Sequence, residues 1–263
     1  MRNKETIELR RHLMDTVRRE IDFSQTDQNL GVPMPPIQKE VTKDQVLIKL
    51  PSWQEVVTPQ GTLDYLIRNR RSYRKFEEKA MGAEELSYLL WATQGIRAPS
   101  PKRTLRNAPS AGNRHSLETY LAITKPMANE KGEILFKRGL WRYLPLEHAL
   151  VYLSSPEPLE TYVTEAALGQ AFVGKAPVIF LWSTLPYRTE WRYSKASQKV
   201  IALDAGHVCQ NLYLAATSIG CGTCAVAAYD QEAADKLLDL PNPDEFIIYM
   251  APVGKIIQGN SED

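Results

Sequence analysis

A long helical segment dominates the second half of this sequence of 263 residues. The residue pattern predicts one helix from about Ser194 to Thr217, and Gly220 follows it as the usual residue at a helix C-terminus. The central part, Val200 to Ala216, is largely apolar, and a buried strand is predicted shortly before it, at Val178 to Ser183. Because an apolar helix of this length must be covered by other layers, it is suited to burial between two subunits.

The rest of the chain mixes strand and helix patterns, with no internal repeat. A strand is predicted at Leu117 to Thr124, where apolar and polar residues alternate, and a helix at about Ala83 to Thr93. Further strands are predicted at 134–137, 139–143, 223–227 and 246–253, and further helices from residue 62 and at about 159–171 and 231–238. This mixture predicts an α+β fold, an α/β sandwich in which a central sheet is flanked by helices.

The first sixty residues differ from the remainder in pattern. Leu9, Leu13 and Val17 recur four residues apart, which predicts an amphipathic helix from about Lys4 to Glu20. From Ser24 to Pro51 the chain is rich in proline, so we expect it to run extended across a surface, where it could embrace a partner subunit. The predicted organisation is therefore an N-terminal arm at 1–60, a main domain at 61–258 and a short tail at 259–263.

Composition excludes several classes of function. The chain has 43% hydrophobic residues, enough for a large core, and its 32 Lys and Arg residues nearly balance 31 Asp and Glu residues. A net charge of +1 gives no general attraction for nucleic acid or for an anionic membrane, so neither partner is expected. The apolar run around Val178 to Trp182 is too short to span a bilayer, and the N-terminus lacks the apolar core of a secretion signal, which predicts a cytoplasmic location.

Three cysteines, Cys209, Cys221 and Cys224, are too few and odd in number for a disulfide framework, which suits a reducing compartment. Cys221 and Cys224 have C-x-x-C spacing, but there is no second cysteine pair and only four histidines. A structural zinc site would lack its usual ligands, so no metal is expected and the pair is interpreted as part of a tight turn.

Two short motifs could bind a ligand. Arg70-Arg71-Ser72-Tyr73-Arg74 offers guanidinium groups around a hydroxyl, which can grip a phosphate bidentately. About forty residues later, Pro109-Ser110-Ala111-Gly112-Asn113 can present amides and small polar groups to a ring system. Taken alone, the first motif could be a solvated helix face and the second an ordinary turn. Together they suggest a phosphorylated, planar cofactor.

Four strings in this order, RRSYRKF, NAPSAGNRHSLETYLAI, DAGHVCQNLYLAATSIGCGTCAV and YMAPVGK, resemble the nitroreductase family of FMN-dependent oxidoreductases over roughly residues 60 to 256. The third string looks most like the SagB/ThcOx-type azoline dehydrogenases of that family. The resemblance implies a nitroreductase-like fold with a mostly antiparallel central sheet. It also implies an intertwined homodimer with FMN at the subunit interface and NAD(P)H as a transient electron donor.

The same resemblance implies roles for individual residues. Arg70 and Arg74 would bind the FMN phosphate, Ser72 would act at the pyrimidine or ribityl end, and Arg71 would reach the ring or ribityl. The loop at 109–113 of the neighbouring subunit would contact the flavin, together with His115, which follows it in the sequence. The backbone amides that approach flavin N5 and O4 would come from the end of one strand. The residues that follow the last strand would lie near the FMN phosphate, although the lysine among them could equally be solvated. These residues are Pro109, Ser110, Ala111, Gly112 and Asn113 in the loop, Ala225, Val226, Ala227 and Ala228 at the strand end, and Gly254 and Lys255 after the last strand.

The sequence contains no convincing Ser/His/Asp triad, as expected when the cofactor carries the chemistry. Azoline dehydrogenases place a Lys-Tyr pair shortly before the long helix, where this chain has Arg192 and Tyr193. Arginine cannot readily become a neutral base, whereas Tyr193 could exchange a proton or simply pack.

Three functions remain open at this point. The first is electron transfer from NAD(P)H through FMN to a small electrophile such as a nitroaromatic or quinone. The second is oxidation of thiazoline or oxazoline rings in a modified peptide. The third is a non-enzymatic role as a flavin carrier or sensor.

Overall fold

A seven-stranded sheet forms the centre of the computed structural model, which describes residues 4–58, 61–100 and 103–257. The strands of the described residues are β1 (Leu47–Lys49), β2 (Ile96–Ser100), β3 (Arg103–Arg106), β4 (Leu117–Ile123), β5 (Met127–Ala128), β6 (Ile134–Phe136), β7 (Gly139–Leu144), β8 (Ala149–Ser154), β9 (Val178–Thr184), β10 (Cys221–Thr223) and β11 (Phe246–Lys255). The central sheet has the order β1-β8-β7-β4-β9-β11-β10, with antiparallel neighbours throughout. The α+β prediction with a mostly antiparallel sheet is confirmed.

Helices cover both faces of this sheet. They are α1 (Lys4–Leu9), α2 (Leu63–Asn69), α3 (Ala83–Gln94), α4 (Leu159–Ala166), α5 (Ala171–Lys175), α6 (Tyr187–Tyr193), α7 (Ser197–Ser218) and α8 (Gln231–Leu237). Helices α3 and α7 pack on one face, whereas α4, α5 and α8 pack on the other. Strand β9 is buried on both sides, because Phe180 and Trp182 contribute to the first core while Ile179 and Leu181 contribute to the second. Among the helices of the described residues, none combines the length and apolar character needed to cross a bilayer.

The predicted N-terminal helix is much shorter than expected. It ends at Leu9, and only 3-10 turns follow it as far as Glu20. Leu9 and Leu13 are 61% and 74% exposed, so these two leucines of the apolar stripe contribute little to the packing of the described chain. A short helix without tertiary packing gains little stability in water, which explains why the spacing of the leucines does not extend it.

The arm follows the surface of its own chain over residues 26–40. Trp191 fixes its first part, because its backbone oxygen accepts from Gln28 N at 2.9 Å and its indole donates to Val32 O at 2.9 Å. Further along, the ammonium of Lys39 lies 2.8 Å from the Tyr120 hydroxyl and 2.5 Å from the Glu245 carboxylate. The arm is therefore anchored to the central part of the sheet, by a hydrogen bond to β4 and by a partly buried ion pair with the residue that precedes β11.

Three other boundaries differ from the predictions. The helix predicted at 159–171 is interrupted where Leu168 and Gly169 adopt positive φ values of 55° and 76°. The long helix begins at Ser197, because Ser194 has a φ of 48° and starts a separate 3-10 turn. The strand predicted at 223–227 ends at Thr223. The predicted boundary at residue 60 falls in a gap between described residues, and the predicted tail at 259–263 lies outside them.

Candidate functional site

The arginine motif lies alongside β10. It leaves the C-terminus of α2 at Arg70, and Ser72 forms a parallel bridge with Thr223 while Tyr73 N donates to Thr223 O at 2.9 Å. Because Thr223 immediately precedes the turn to the predicted strand-end residues, this bridge brings two distant sequence motifs together. We call the group formed by Arg70, Ser72, Arg74, Tyr213 and Ala225 the phosphate half-site.

Tyr213 of α7 ties this half-site together. Its hydroxyl lies 3.0 Å from Ser72 Oγ and accepts from the Ala225 backbone N–H at 2.8 Å. The sequence alone does not distinguish Tyr213 as a site residue, because a tyrosine on an apolar helix is most simply interpreted as a core residue. The general need of a buried tyrosine hydroxyl for a polar partner was the only available signal.

The guanidinium groups of the motif have no carboxylate partner among the described residues. Arg70 lies over the Tyr213 ring at 5.2 Å, and Arg74 lies over the Phe172 ring at 5.9 Å. Arg71 is exposed and donates to the carbonyl oxygens of Arg68 and Arg70 at 3.0 Å and 2.9 Å. Positive charge is thus concentrated here without local neutralisation, which is the condition for binding an anion.

The strand-end residues differ in exposure and contacts. Val226 is buried and pairs with Met250 through two backbone hydrogen bonds, of 2.8 Å and 3.2 Å. Ala225 is half-buried, whereas Ala227 and Ala228 are exposed. The small side chains therefore leave the backbone after β10 accessible to a ligand.

Gly254 and Lys255 end β11 next to the same motif. A Cβ atom at Gly254 would lie 2.8 Å from Pro177 Cδ and 3.0 Å from Phe76 Cβ and Cγ, so glycine is the residue that fits between these two side chains. The ammonium of Lys255 forms an ion pair with Glu85, and this contact raises the lysine pKa although burial opposes it. Lys255 is therefore directed to a carboxylate of its own chain and is neither a freely solvated lysine nor an unpaired cation.

The predicted loop 109–113 is built around Asp204 of α7. The Asp204 carboxylate accepts from Ala111 N at 3.1 Å and 3.2 Å, and burial raises its pKa although a hydrogen bond from Ser110 acts in the opposite direction. Ser110 Oγ also accepts from His115 N at 2.8 Å. Exposed Pro109 leads into this turn. The loop is therefore fixed through the Ala111 backbone and the Ser110 side chain.

His115 and Asn113 both adopt positive φ values, 47° and 58°, and face each other. The His115 ring nitrogen Nε2 lies 2.8 Å from Asn113 Oδ1, and the Asn113 Nδ2 atom is buried without a hydrogen-bond partner among the described residues. Burial lowers the pKa of His115 to about 3, and the nearby Arg106 acts in the same direction. The ring is therefore neutral, and the Asn113 amide is an unsatisfied buried donor within the described part of the chain.

Helix α6 places Arg192 and Tyr193 directly against this loop. At Gly112, whose φ is +56°, an added Cβ would lie 2.5 Å from the Tyr193 hydroxyl and 2.8 Å from Arg192 Nε. Arg192 also donates to Gln28 Oε1 at 3.2 Å. We call this second group, the loop 109–113 with His115, Arg192, Tyr193 and Asp204, the loop half-site.

The two half-sites lie at different parts of α7. Asp204 and Tyr213 are separated by nine positions, which corresponds to about 13 Å along the helix axis and about half a turn around it. The structure thus unites the predicted residues in two groups, but it does not bring these groups into one pocket within a single chain.

Known proteins share sequence and fold with this chain. The family model described as the Nitroreductase family matches residues 67–255. A nitroreductase-like protein of Methanocaldococcus jannaschii is 29% identical over 215 residues, which covers 82% of this chain and 99% of that protein. Solved structures of nitroreductase-like proteins from Ralstonia eutropha and Anabaena variabilis both superpose with a TM-score of 0.65 and 24% identity.

The coverage of these solved structures differs. The match takes in 86% of this chain and 99% of the Ralstonia protein, but 85% of this chain and only 41% of the Anabaena protein. The Escherichia coli microcin synthetase McbBCD complex, solved with truncated pro-MccB17 bound, superposes with a TM-score of 0.58 at 19% identity, covering 73% of this chain and 72% of that one. These structures show a common fold.

Proposed function

The chain belongs to the nitroreductase family and is an oxidoreductase, and from this premise we propose that it uses FMN to pass electrons from NAD(P)H to a small electrophilic acceptor. Acceptors of the nitroaromatic or quinone type fit this proposal. The observation that carries it is the group of Arg70, Arg71 and Arg74, whose guanidinium groups have no carboxylate partner in the described part of the chain and which lies beside an accessible strand end.

The residues present fit FMN at both half-sites. Arg70 and Arg74 would hold the phosphate, because a guanidinium fork matches phosphate oxygens and stays charged at any working pH. Ser72 and the backbone from Ala225 to Ala228 would contact the ring end, and the orphaned Asn113 Nδ2 atom supplies a donor from the loop. Bound FMN would supply the redox chemistry, since flavins exchange electrons or hydride.

The protein's own residues would bind and orient the acceptor and supply it with a proton. Tyr193 places a hydroxyl against the loop that would contact the cofactor, where it could supply a proton to a reduced acceptor. Arg192 lies beside it and would attract an anionic or electron-rich acceptor, because its guanidinium cannot serve as a neutral base. The neutral imidazole of His115 would hold the loop in place without adding charge.

A complete site would require two copies of the chain. The half-sites flank an exposed stripe of α7 that includes Leu203, which is 53% exposed, and Gly206, where an added Cβ would meet nothing within 4 Å. Packing two such stripes together would cover apolar surface and set the loop half-site of one chain beside the phosphate half-site of the other. A homodimer with FMN at its interface is therefore the assembly that we propose.

A second candidate, azoline oxidation in a peptide, is favoured by the DAGH string of α7 and by the fold shared with the microcin synthetase complex. Arg192 stands where that branch would have lysine, which argues against it. The third candidate, a flavin carrier or sensor, would use the same half-sites to bind flavin but would catalyse no reaction.

The absorbance spectrum of the purified protein is the first test. The proposal requires a yellow protein with FMN bound, bleached by NADH or NADPH and reoxidised by a nitroaromatic or quinone. Oxygen consumption with an azoline peptide would select the second candidate, and bound flavin that resists both reagents would select the carrier. A colourless protein that takes up no added FMN would refute all three.

The shared site has its own test. Arg74→Ala and Gly112→Val would each damage one half-site, so each homodimer should lose FMN. A heterodimer purified through two different tags would rebuild one site of its two, and should recover about one FMN per two chains. If the heterodimer binds no more FMN than its parents, each site is built from one chain and the proposed arrangement is wrong.

A further inference from the structure

Tyr213 occupies a position whose chemistry the proposed function does not use. Its ring is buried in the core on α7, while its hydroxyl reaches both the arginine motif and the strand end. Ser72 and Ala225 are far apart in sequence, and the Tyr213 hydroxyl contacts both. A buried hydroxyl held by two partners has a defined orientation, and this has consequences for both of them.

The hydrogen bonds around Tyr213 have a preferred direction. The Ala225 N–H can only donate, so the tyrosine oxygen accepts there. The phenol proton is then free to be donated to Ser72 Oγ, 3.0 Å away, and a phenol is a better donor than an alcohol because it is the stronger acid. In this arrangement the serine oxygen accepts, so the serine proton must point elsewhere.

The nearby Cys224 is a weak competitor for the serine proton. Burial raises the pKa of its thiol, although Arg74 and hydrogen bonds with Ser72 and Tyr213 act in the opposite direction, so the sulfur remains protonated and is a poor acceptor. Ser72 also lies among guanidinium groups, which are donors only and cannot accept its proton. Among the described residues around it, this leaves no strong acceptor on the protein side.

We propose that Tyr213 is a positioning residue that fixes Ser72 as a hydrogen-bond donor toward the bound flavin and thereby raises its reduction potential. This rests on the proposed function, in which the phosphate half-site binds FMN. A reduced flavin carries more negative charge than the oxidised form, so a fixed donor binds the reduced form more strongly. Tyr213 acts through Ser72 and needs no contact with the substrate.

The test is the midpoint potential of the bound flavin in wild type, Tyr213→Phe, Ser72→Ala and the double variant. Phenylalanine keeps the ring and its contact with Arg70, so only the hydroxyl is lost. We expect Tyr213→Phe to reduce the preference for reduced over oxidised FMN about tenfold, as for one lost hydrogen bond. For a two-electron couple this lowers the potential by about 30 mV. Ser72→Ala should do the same, and the double variant should go no lower than either single variant.

Tyr88→Phe is a matched control, because it removes another tyrosine-to-serine hydrogen bond, of 3.2 Å, between Tyr88 and Ser218 of α7. It should leave the potential unchanged. Ser72→Thr keeps a hydroxyl and should retain most of the wild-type potential, which tests the donor even if Tyr213→Phe does not fold. An unchanged potential in folded Tyr213→Phe, or additive shifts in the double variant, would overturn the inference while leaving FMN binding established. Failure of the wild type to bind FMN would instead refute the proposed function, and this inference with it.

Discussion

Acid should weaken the folded protein through His115, which the loop half-site holds in its neutral form. Burial lowers the pKa of His115 to about 3 from an ordinary value of 6.5. Below pH 6.5 the unfolded chain takes up a proton that the native state refuses, so the unfolded state binds more protons between about pH 3 and 6.5. Stability contributed by the neutral ring is therefore fully present above pH 6.5 and is lost as the pH falls through this window.

The size of the effect follows from the pKa difference. Each pKa unit corresponds to about 1.4 kcal/mol, so the whole window is worth about 5 kcal/mol. Between pH 7 and pH 5 the His115 contribution should fall by about 2 kcal/mol, because only the unfolded chain titrates there. A loss of that size is a large fraction of the usual net stability of a folded protein.

The measurement is urea unfolding of FMN-free protein at pH 7, 6 and 5 and at one protein concentration, since ligand and subunit binding shift apparent stability. His115→Asn is the matched variant, because asparagine tolerates the positive φ of 47° and does not titrate. The stability of this variant should fall less on acidification, by about 2 kcal/mol. Burial also lowers the pKa of His148, to about 4, but that residue is present in both proteins and cancels in the comparison. Equal pH dependence in the two proteins would mean that His115 has the same pKa in the native and unfolded states, which would refute the reasoning.

Two further predictions concern the half-sites. Arg74→Ala should weaken FMN binding by about 1.5–3 kcal/mol, or roughly 10- to 150-fold in Kd, as measured by fluorescence titration. Lys75→Ala, its exposed neighbour, should change Kd little. For Asp204, burial raises the folded pKa, so its stability contribution is full below the ordinary value of 3.8 and is lost as the pH rises through the folded pKa. Asp204→Asn keeps a hydrogen-bond acceptor and should remove this loss of stability, which urea unfolding between pH 3 and pH 7 would detect. If the variant and the wild type lose stability equally as the pH rises, the pKa of Asp204 is not raised in the folded protein.

The parts of the fold that sequence could predict are those with a strong local pattern and a surface to pack on. Helix α3 was predicted within one residue of its end, and Leu86, Leu89 and Leu90 are fully buried. Strand β9 is equally clear, because a short apolar run is buried on both sides of the sheet. The leucine spacing near the N-terminus is as regular, yet Leu13 is exposed and the α-helix ends at Leu9. A periodic pattern predicts a helix or strand correctly only when tertiary contacts stabilise that helix or strand.

The same distinction applies to the candidate site, where some residues could be predicted from local sequence and others could not. The arginine motif and the loop 109–113 could be recognised because each is a compact string with its own chemistry. Tyr213 and Asp204 could not, since their roles depend on contacts with residues about 141 and 93 positions away, Ser72 and Ala111. No local pattern encodes such pairings, so a polar residue on a long apolar helix is ambiguous until the fold is known.

That ambiguity itself suggests how α7 organises the molecule. A polar side chain buried on an otherwise apolar helix costs stability unless it finds partners, and an apolar residue at either position would avoid that cost. Asp204 and Tyr213 are 5% and 9% exposed, and each finds its partners in the backbone or side chains of one half-site. The helix therefore holds the core together through its apolar residues and positions both halves of the site through these two polar ones. Because these residues lie half a turn apart on a rigid helix, each half-site is fixed relative to the exposed stripe between them, where a second chain would complete the site.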